Sequence, residues 1–347
     1  MKIIILILFS VLILFGCITE VQQDKVGAII FLTGSQSALG EEVNNALILA
    51  SEGKGLQIIV EDSEDNPQKA ISAFEKLKSQ GINKFIITGD QVNYAITPLI
   101  KDEFVIATVA ASSGIKNEKN YRAWLTTKTQ ADLMSNFAVN ELKLDKFSLI
   151  YINNVYGEEY KQTFSKKANV ISSQSYGIAD SEFKTQVTKA INSNPDAIVV
   201  AGFGTAYSLV FKTLREQGYT GIILTDATLS IPFFFDGIGI ENLNNTYYVS
   251  TLFDAQNPSS SEMSNFVNSY KEKFGKEAGW TGAFAYDAYS ILLEANSICT
   301  ENLDECIGNI SHTGVLGEVR FKDGEMKVPL QIKQVVGNEI KVVKEID

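Results

Sequence analysis

Val26 to Ala50 reads VGAIIFLTGSQSALGEEVNNALILA. It opens with an apolar run, Val26 to Phe31, of the length of one strand. Thr33 to Gly40 is a loop of small and hydroxyl residues. In the helix that follows, Val43, Ala46, Leu47 and Ala50 recur at i, i+3, i+4 and i+7, the spacing of one buried helical face. Strand, polar turn and helix start make the first βα step of an α/β sheet. In such sheets ligands collect beyond the carboxyl ends of the strands. A helix start there offers unpaired N–H groups and partial positive charge. A small solute bearing an anionic group is therefore expected at this end.

The alternation continues along the chain. Leu56 to Glu61 reads as a strand ending in Asp62. Asn66-Pro67 opens a helix with a cap and a first-turn proline. Lys84 to Thr88 is a strand, followed by the loop Gly89-Asp90-Gln91-Val92-Asn93 and a helix around Ala95 to Asp102. Phe104 to Val109 is a strand running into Ala110-Ala111-Ser112-Ser113-Gly114. From Leu125 the pattern restarts with a helix, Gln130 to Leu142. Strand Phe147 to Ile152 leads to the loop Asn153 to Gly157. Strand Ala197 to Ala201 leads to Gly202-Phe203-Gly204, and strand Gly221 to Thr225 ends in Asp226. Two long helices follow, Glu262 to Phe274 and Trp280 to Ser297. The tail turns to β runs, Glu318 to Phe321, Pro329 to Val336 and Glu339 to Val343, with a Gly337-Asn338 hairpin turn. Two αβ units side by side make two lobes with a cleft between them.

The ends and the composition set the class. Met1-Lys2 is basic, and Ile3 to Phe15 is apolar almost throughout. That run is short against the roughly twenty residues of a membrane span, and it fits a secretory leader. Leu14-Phe15-Gly16-Cys17 resembles a lipobox, with Phe15 where a small residue is usual. Residues 1–16 then form a lipoprotein signal peptide, Cys17 carries the lipid, and 17–24 is a tether; an uncleaved anchor is the alternative. Both readings put the protein on the outer face of the cell membrane. With a net charge of −11 and no basic run, nucleic acid is excluded as a partner. Cys299 and Cys306 are expected to form a disulfide outside the cytoplasm, with two buried thiols the alternative. Two cysteines and the single His312, in a turn-like SHTG, cannot supply a four-ligand zinc site. No metal and no cofactor is expected.

Catalytic patterns are missing from the sequence. There is no G-x-S-x-G nucleophile elbow, and Gly202-Phe203-Gly204 and Gly237-Ile238-Gly239 do not complete a dinucleotide loop. Binding has better support. Thr33, Ser35, Ser37, Asn93, Ser112 and Ser113 supply hydroxyl, amide and backbone donors for a carboxylate. A buried Asp226 would pair with an ammonium group. Tyr156, Phe203 and Trp280 could wall an apolar side chain. Each also has a plain structural reading: Asn93, Ser112 and Asp226 as helix caps, Tyr156 and Trp280 as core aromatics.

These stretches together, GAIIFLTGSQSALGEEV, GDQVNYAITPL, YINNVYGEEY, SEFKTQVTKAINSNPDAIVVAGFG, GWTGAFAYDAYSILLEA and GVLGEVRF, resemble the branched-chain amino acid type of ABC-transporter substrate-binding proteins. The resemblance runs from about Val26 to Val343. It implies the type I periplasmic binding fold: two Rossmann-like lobes, three crossovers near residues 126, 251 and 329, and closure about a hinge. Lobe 1 is then 25–126 plus 252–329, and lobe 2 is 127–251 plus 330–347. By position the resemblance assigns the carboxylate-holding residue to Asn93, the carbonyl that meets the ammonium to Ala110, beside Ala111, and a neighbouring hydroxyl to Ser112. The acidic partner of the ammonium falls on Asp226, pocket aromatics on Tyr156 and Phe203, a pocket-width residue on Leu39, and the start of the long helix on Trp280 or Thr281. Asn93 replaces a serine, Leu39 an aromatic, and Gln91 an apolar wall residue. These departures argue against leucine, isoleucine or valine as the ligand, while the head-group machinery stays in place. The expected protein is a monomeric, membrane-anchored receptor that hands a small amino acid or related solute to an ABC permease. A sensory module of the same fold, and a binder of an amide or small aromatic acid, are the alternatives.

Overall fold

The computed structural model describes residues 24–34, 36–113, 115, 119–299 and 302–346. The leader, Cys17 and most of the tether lie outside the described residues, as does Ser35.

Two sheets carry the fold. The first holds β1 (Asp24–Ile30), β2 (Leu56–Asp62), β3 (Lys84–Thr88), β4 (Phe104–Thr108) and β5 (Asn120–Ala123), parallel and in the spatial order β2-β1-β3-β4-β5. The second holds β6 (Lys146–Ile152), β7 (Asn169–Tyr176), β8 (Ala197–Ala201), β9 (Ile222–Thr225) and β10 (Thr246–Thr251), parallel in the order β7-β6-β8-β9-β10. Each lobe thus repeats the 2-1-3-4-5 order of a doubly wound sheet, whose ligand crevice opens beside its first strand. The connecting helices are α1 (Ser37–Ser51), α2 (Pro67–Ser79), α3 (Asp90–Ile96), α4 (Thr127–Asn140), α5 (Val155–Ser165), α6 (Lys184–Asn192), α7 (Gly204–Glu216) and α8 (Pro232–Ile238). Then come α9 (Ser261–Phe274), α10 (Trp280–Ile298) and α11 (Leu303–Ile307).

The tail divides between the sheets. β11 (Ser311–Gly314), β12 (Gly317–Lys322) and β13 (Glu325–Lys327) extend the first sheet beside β5. β14 (Leu330–Val336) and β15 (Glu339–Ile346) form a hairpin that extends the second sheet beside β10. The chain therefore passes between sheets three times, after β5, after β10 and after β13. The parallel strands β3, β4, β8 and β9 are almost wholly buried, as sheets covered on both faces require. No helix among the described residues is long and apolar enough to cross a membrane. Cys299 and Cys306 are disulfide-bonded, with Cα atoms 6.3 Å apart.

Several local expectations are corrected. Leu39, Gln91, Asn93 and Tyr156 read as loop residues but lie in the first turns of α1, α3 and α5. Polar and small residues at a helix start resemble a loop by composition, although they are the residues that satisfy its free N–H groups. The third helix starts at Asp90, after Gly89 at φ 101°, and gives way to a 3₁₀ turn at Thr97–Leu99 that contains Pro98. Helix α4 begins three residues earlier than its apolar period indicates, because Thr126 caps it by accepting from Thr129 N at 3.1 Å. His312 is not in a turn: it lies on β11, paired with Val319 of β12. Strand β5, NYRA, escaped notice because it is short and polar, yet all four residues are buried.

Candidate functional site

The carboxyl ends of β8 and β9 build one half of the site. Asp226 follows β9 directly and is fully buried. Its Oδ2 accepts from Tyr156 Oη at 2.8 Å and from Gly202 N at 2.8 Å, and its Oδ1 accepts from Thr228 N at 3.0 Å. No salt bridge reaches it among the described residues. Burial pushes its pKa up to about 6, with the three hydrogen bonds opposing part of that rise. The last bond makes Asp226 the cap of a short 3₁₀ turn, so it has the structural role as well. Gln130 of α4 braces the same corner: its Oε1 accepts from Ala227 N at 2.9 Å, and its Nε2 donates to Leu125 O at 3.1 Å. Behind Asp226 stand Tyr160, Tyr176 and Tyr207, whose hydroxyls are held neutral by burial and by the Asp226 charge.

Phe203 walls this corner. Its ring meets Tyr156 edge-on at 5.7 Å. Gly202 precedes it, because a side chain there would run into Tyr176: a Cβ would sit 2.1 Å from the tyrosine oxygen.

The carboxyl ends of β3 and β4 build the other half. Ser112 donates both its N–H (3.1 Å) and its hydroxyl (2.9 Å) to Asp90, at the start of α3. Burial raises the Asp90 pKa; the Ser112 bonds and the Arg122 charge oppose that, and Glu159 adds to it. Arg122 itself is buried under the loop, donating to the carbonyls of Ala111 (3.3 Å) and Ile115 (3.4 Å). Thr127 N also donates to Ala111 O, at 2.9 Å, which ties the loop to the start of α4. Asn93 is buried, with Nδ2 donating to Gly89 O (2.8 Å) and Ile87 O (3.0 Å) and Oδ1 left without a donor. Ala110 and Leu39 are buried; Gln91 is exposed.

The two halves meet. Ser113 N of the first donates to Glu159 Oε2 of α5 at 3.0 Å. Where the chain crosses after β5, Trp124 stacks on Trp280 at 4.7 Å and both pack on Phe284. The Trp280 Nε1 and Thr281 Oγ1 atoms are buried without partners. The structure thus joins Tyr156, Phe203 and Asp226 in one cluster, sets Ser112 on Asp90, and places Trp280 in the aromatic stack at the crossover. Asp90, Gln130, Trp124 and Glu159 are additions. Asp90 had a visible signal, an acidic residue at the end of the third strand where neutral donors were expected. A separate groove of about 750 Å³ is lined by residues of α1, α9, α10 and β11. None of the predicted site residues lines it. No group of metal-ligating side chains occurs among the described residues.

The family described as periplasmic binding protein matches residues 24–304, and the chain belongs to it. The fold is shared with the leucine binding protein of Thermotoga maritima, at 20% identity and TM-score 0.81 over 93% of this chain and 99% of that one. It is shared also with the branched-chain amino acid transporter substrate binding protein of Streptococcus pneumoniae in complex with isoleucine, at 18%, 0.83, 94% and 99%. A solute binding protein of an ABC transporter from Rhodopseudomonas palustris, in complex with 3,4-dihydroxy benzoic acid, matches at 18%, 0.79, 93% and 97%. No curated protein matches the chain. The fold is therefore the two-lobed type I periplasmic binding fold, in a family of binding proteins.

Proposed function

We propose that the protein is an extracytoplasmic solute-binding lipoprotein of an ABC importer. It captures a small nitrogen-bearing solute, an amino acid or a relative of one, by closing its lobes, and delivers it to the permease. The observation that carries this reading is Asp226. It is a fully buried carboxylate at a strand's carboxyl end, with three hydrogen-bond donors and no cation. A buried charge left without a partner is expensive; an incoming ammonium group supplies one, with Tyr156 and Phe203 closing over its neighbouring carbons. The crossovers after β5, β10 and β13 are the natural hinge, and the Ser113–Glu159 contact is one the closing lobes would make. The related binders of isoleucine and of a dihydroxybenzoate support transport as the role while leaving the ligand class to the site itself.

Thermal-shift measurement against the twenty amino acids, small amides, amines and aromatic acids tests this. At least one compound with a cationic nitrogen is expected to raise Tm, because a ligand at a hundred times its Kd stabilises by about 2.7 kcal/mol. Binding of aromatic or aliphatic acids alone would overturn the ammonium assignment. The anchor is tested separately. Cys17→Ala is expected to move the protein from the membrane to the soluble fraction on cell fractionation; unchanged membrane association would mean that the apolar leader itself is the anchor.

A further inference from the structure

Several donors of the first half of the site are already in use. Ser112 gives both its N–H and its hydroxyl to Asp90. Ser113 gives its N–H to Glu159. Asn93 gives its amide hydrogens to the carbonyls at the end of β3. That amide orientation is set by its surroundings: the opposite one would press Oδ1 against two carbonyl oxygens. The Arg122 guanidinium gives its two terminal nitrogens to loop carbonyls, and its Nε is buried without a partner. Among the described residues this half also offers acceptors: the outer lone pairs of Asp90, the Glu159 carboxylate that reaches across, and Asn93 Oδ1. The last is 1% exposed, without a donor, on the same turn of α3 as Asp90 and turned away from its anchoring carbonyls. Trp280 Nε1 and Thr281 Oγ1 are unpartnered donors near the crossover, but both are neutral.

We propose, resting on the binding role above, that Asp90 fills from within the chain the place where an amino acid's carboxylate would lie, so that the cleft takes a small diamine rather than a zwitterion. One ammonium group pairs with Asp226. The other meets Asp90, Glu159 and Asn93 Oδ1. A free carboxylate at the second position would face two carboxylates. Like charges at a few ångströms cost several kcal/mol at the effective dielectric near a protein surface.

The test uses matched pairs that differ only by the carboxylate: cadaverine against lysine, and putrescine against ornithine, titrated calorimetrically into the full-length protein. Each diamine is expected to bind at least tenfold more tightly than its amino acid. Asp90→Ser frees the Ser112 N–H and hydroxyl, and is expected to reverse the order, weakening cadaverine and strengthening lysine by at least tenfold each. Asp90→Asn keeps the side-chain shape and an oxygen for Ser112, so it serves if the serine variant unfolds; it is expected to weaken cadaverine tenfold. Wild-type protein that binds lysine, ornithine or a neutral amino acid as tightly as the diamines overturns this proposal and leaves the binding role standing. Protein that binds no cationic nitrogen compound of either kind overturns both.

Discussion

Asp226→Asn is expected to abolish solute binding while leaving the protein folded. The substitution keeps the shape of the side chain and one oxygen for Tyr156 Oη and Gly202 N. It removes the negative charge that the ligand's cation would meet in a site closed to water. Loss of one partner of a buried, hydrogen-bonded charge pair costs about 2–5 kcal/mol. That corresponds to a loss of affinity of roughly thirty- to several-thousand-fold. Stability moves by less, because two effects oppose each other. In the wild type the folded pKa of Asp226 is about 6 against an ordinary aspartate value of 3.8, so the folded state holds the proton more tightly than the unfolded chain does. This favourable contribution is complete below the unfolded value and is lost as pH rises towards 6. Above pH 6 the buried charge costs about 3 kcal/mol, which Asn relieves. Against this, the new amide N–H faces Thr228 N, and one unsatisfied buried donor costs about 1–3 kcal/mol.

Calorimetric titration and a melt at pH 7.5 read both quantities. Normal affinity in the variant would remove Asp226 from the ligand. The same pKa predicts that wild-type affinity for a cationic solute falls as pH drops below about 6, by at most tenfold per unit, since the carboxylate must be charged to pair. A flat wild-type profile from pH 5 to 8 contradicts the assignment.

Gly157→Ala and Gly40→Ala are expected to be severely destabilising, for one shared reason. In each lobe the first helix folds back so tightly over the end of its strand that the helix backbone nearly touches the strand's last carbonyl. A Cβ on Gly157 would lie 1.8 Å from Ile152 O, and one on Gly40 would lie 2.0 Å from Phe31 O. Both obstacles are backbone, so no side-chain rotation relieves them. Forcing α5 or α1 outward costs about 3 kcal/mol or more by comparison with overpacked cores. In a chain of this size that lowers Tm by about 4 °C. Tyr156 and Leu39 immediately precede these glycines, so affinity is expected to fall as well. Gly55→Ala, where nothing lies within 4 Å of the new carbon and φ is ordinary, is the control, expected within about 0.5 kcal/mol of wild type. Scanning calorimetry decides; wild-type melting of both variants would mean that the βα turns are looser than this packing.

The glycine pair also shows how the two lobes correspond. Leu39-Gly40 and Tyr156-Gly157 occupy equivalent turns, as do Asn93 and Phe203 after the third strand of each sheet, and Ser112 and Asp226 after the fourth. No repeated motif announces this. The corresponding turns carry different side chains: Asp90, Ser112 and Asn93 in one lobe, Tyr156, Phe203 and Asp226 in the other. Only backbone demands, such as a glycine where a helix crosses a carbonyl, survive the divergence.

From its sequence alone, this protein's class was legible. Alternating apolar strands and amphipathic helices specify doubly wound lobes, since each strand must be covered on both faces, and the small, polar strand ends mark the crevice. Asp226, Tyr156 and Phe203 stood out in the sequence because charge and aromatic rings at strand ends have few other uses, and the structure joins them in one cluster. The state of each hydrogen bond was decided only by the tertiary structure. Ser112 and Asn93 carry donors whether those donors are free or spent, and Asp90, a site residue the sequence did not single out, sits 22 residues from the serine that it engages. The opening βα step, which by itself promised an anion site, lies in a lobe where Ser112 already donates to the chain's own Asp90. That outcome depends on distances across the sheet, which residue order along the strands does not contain.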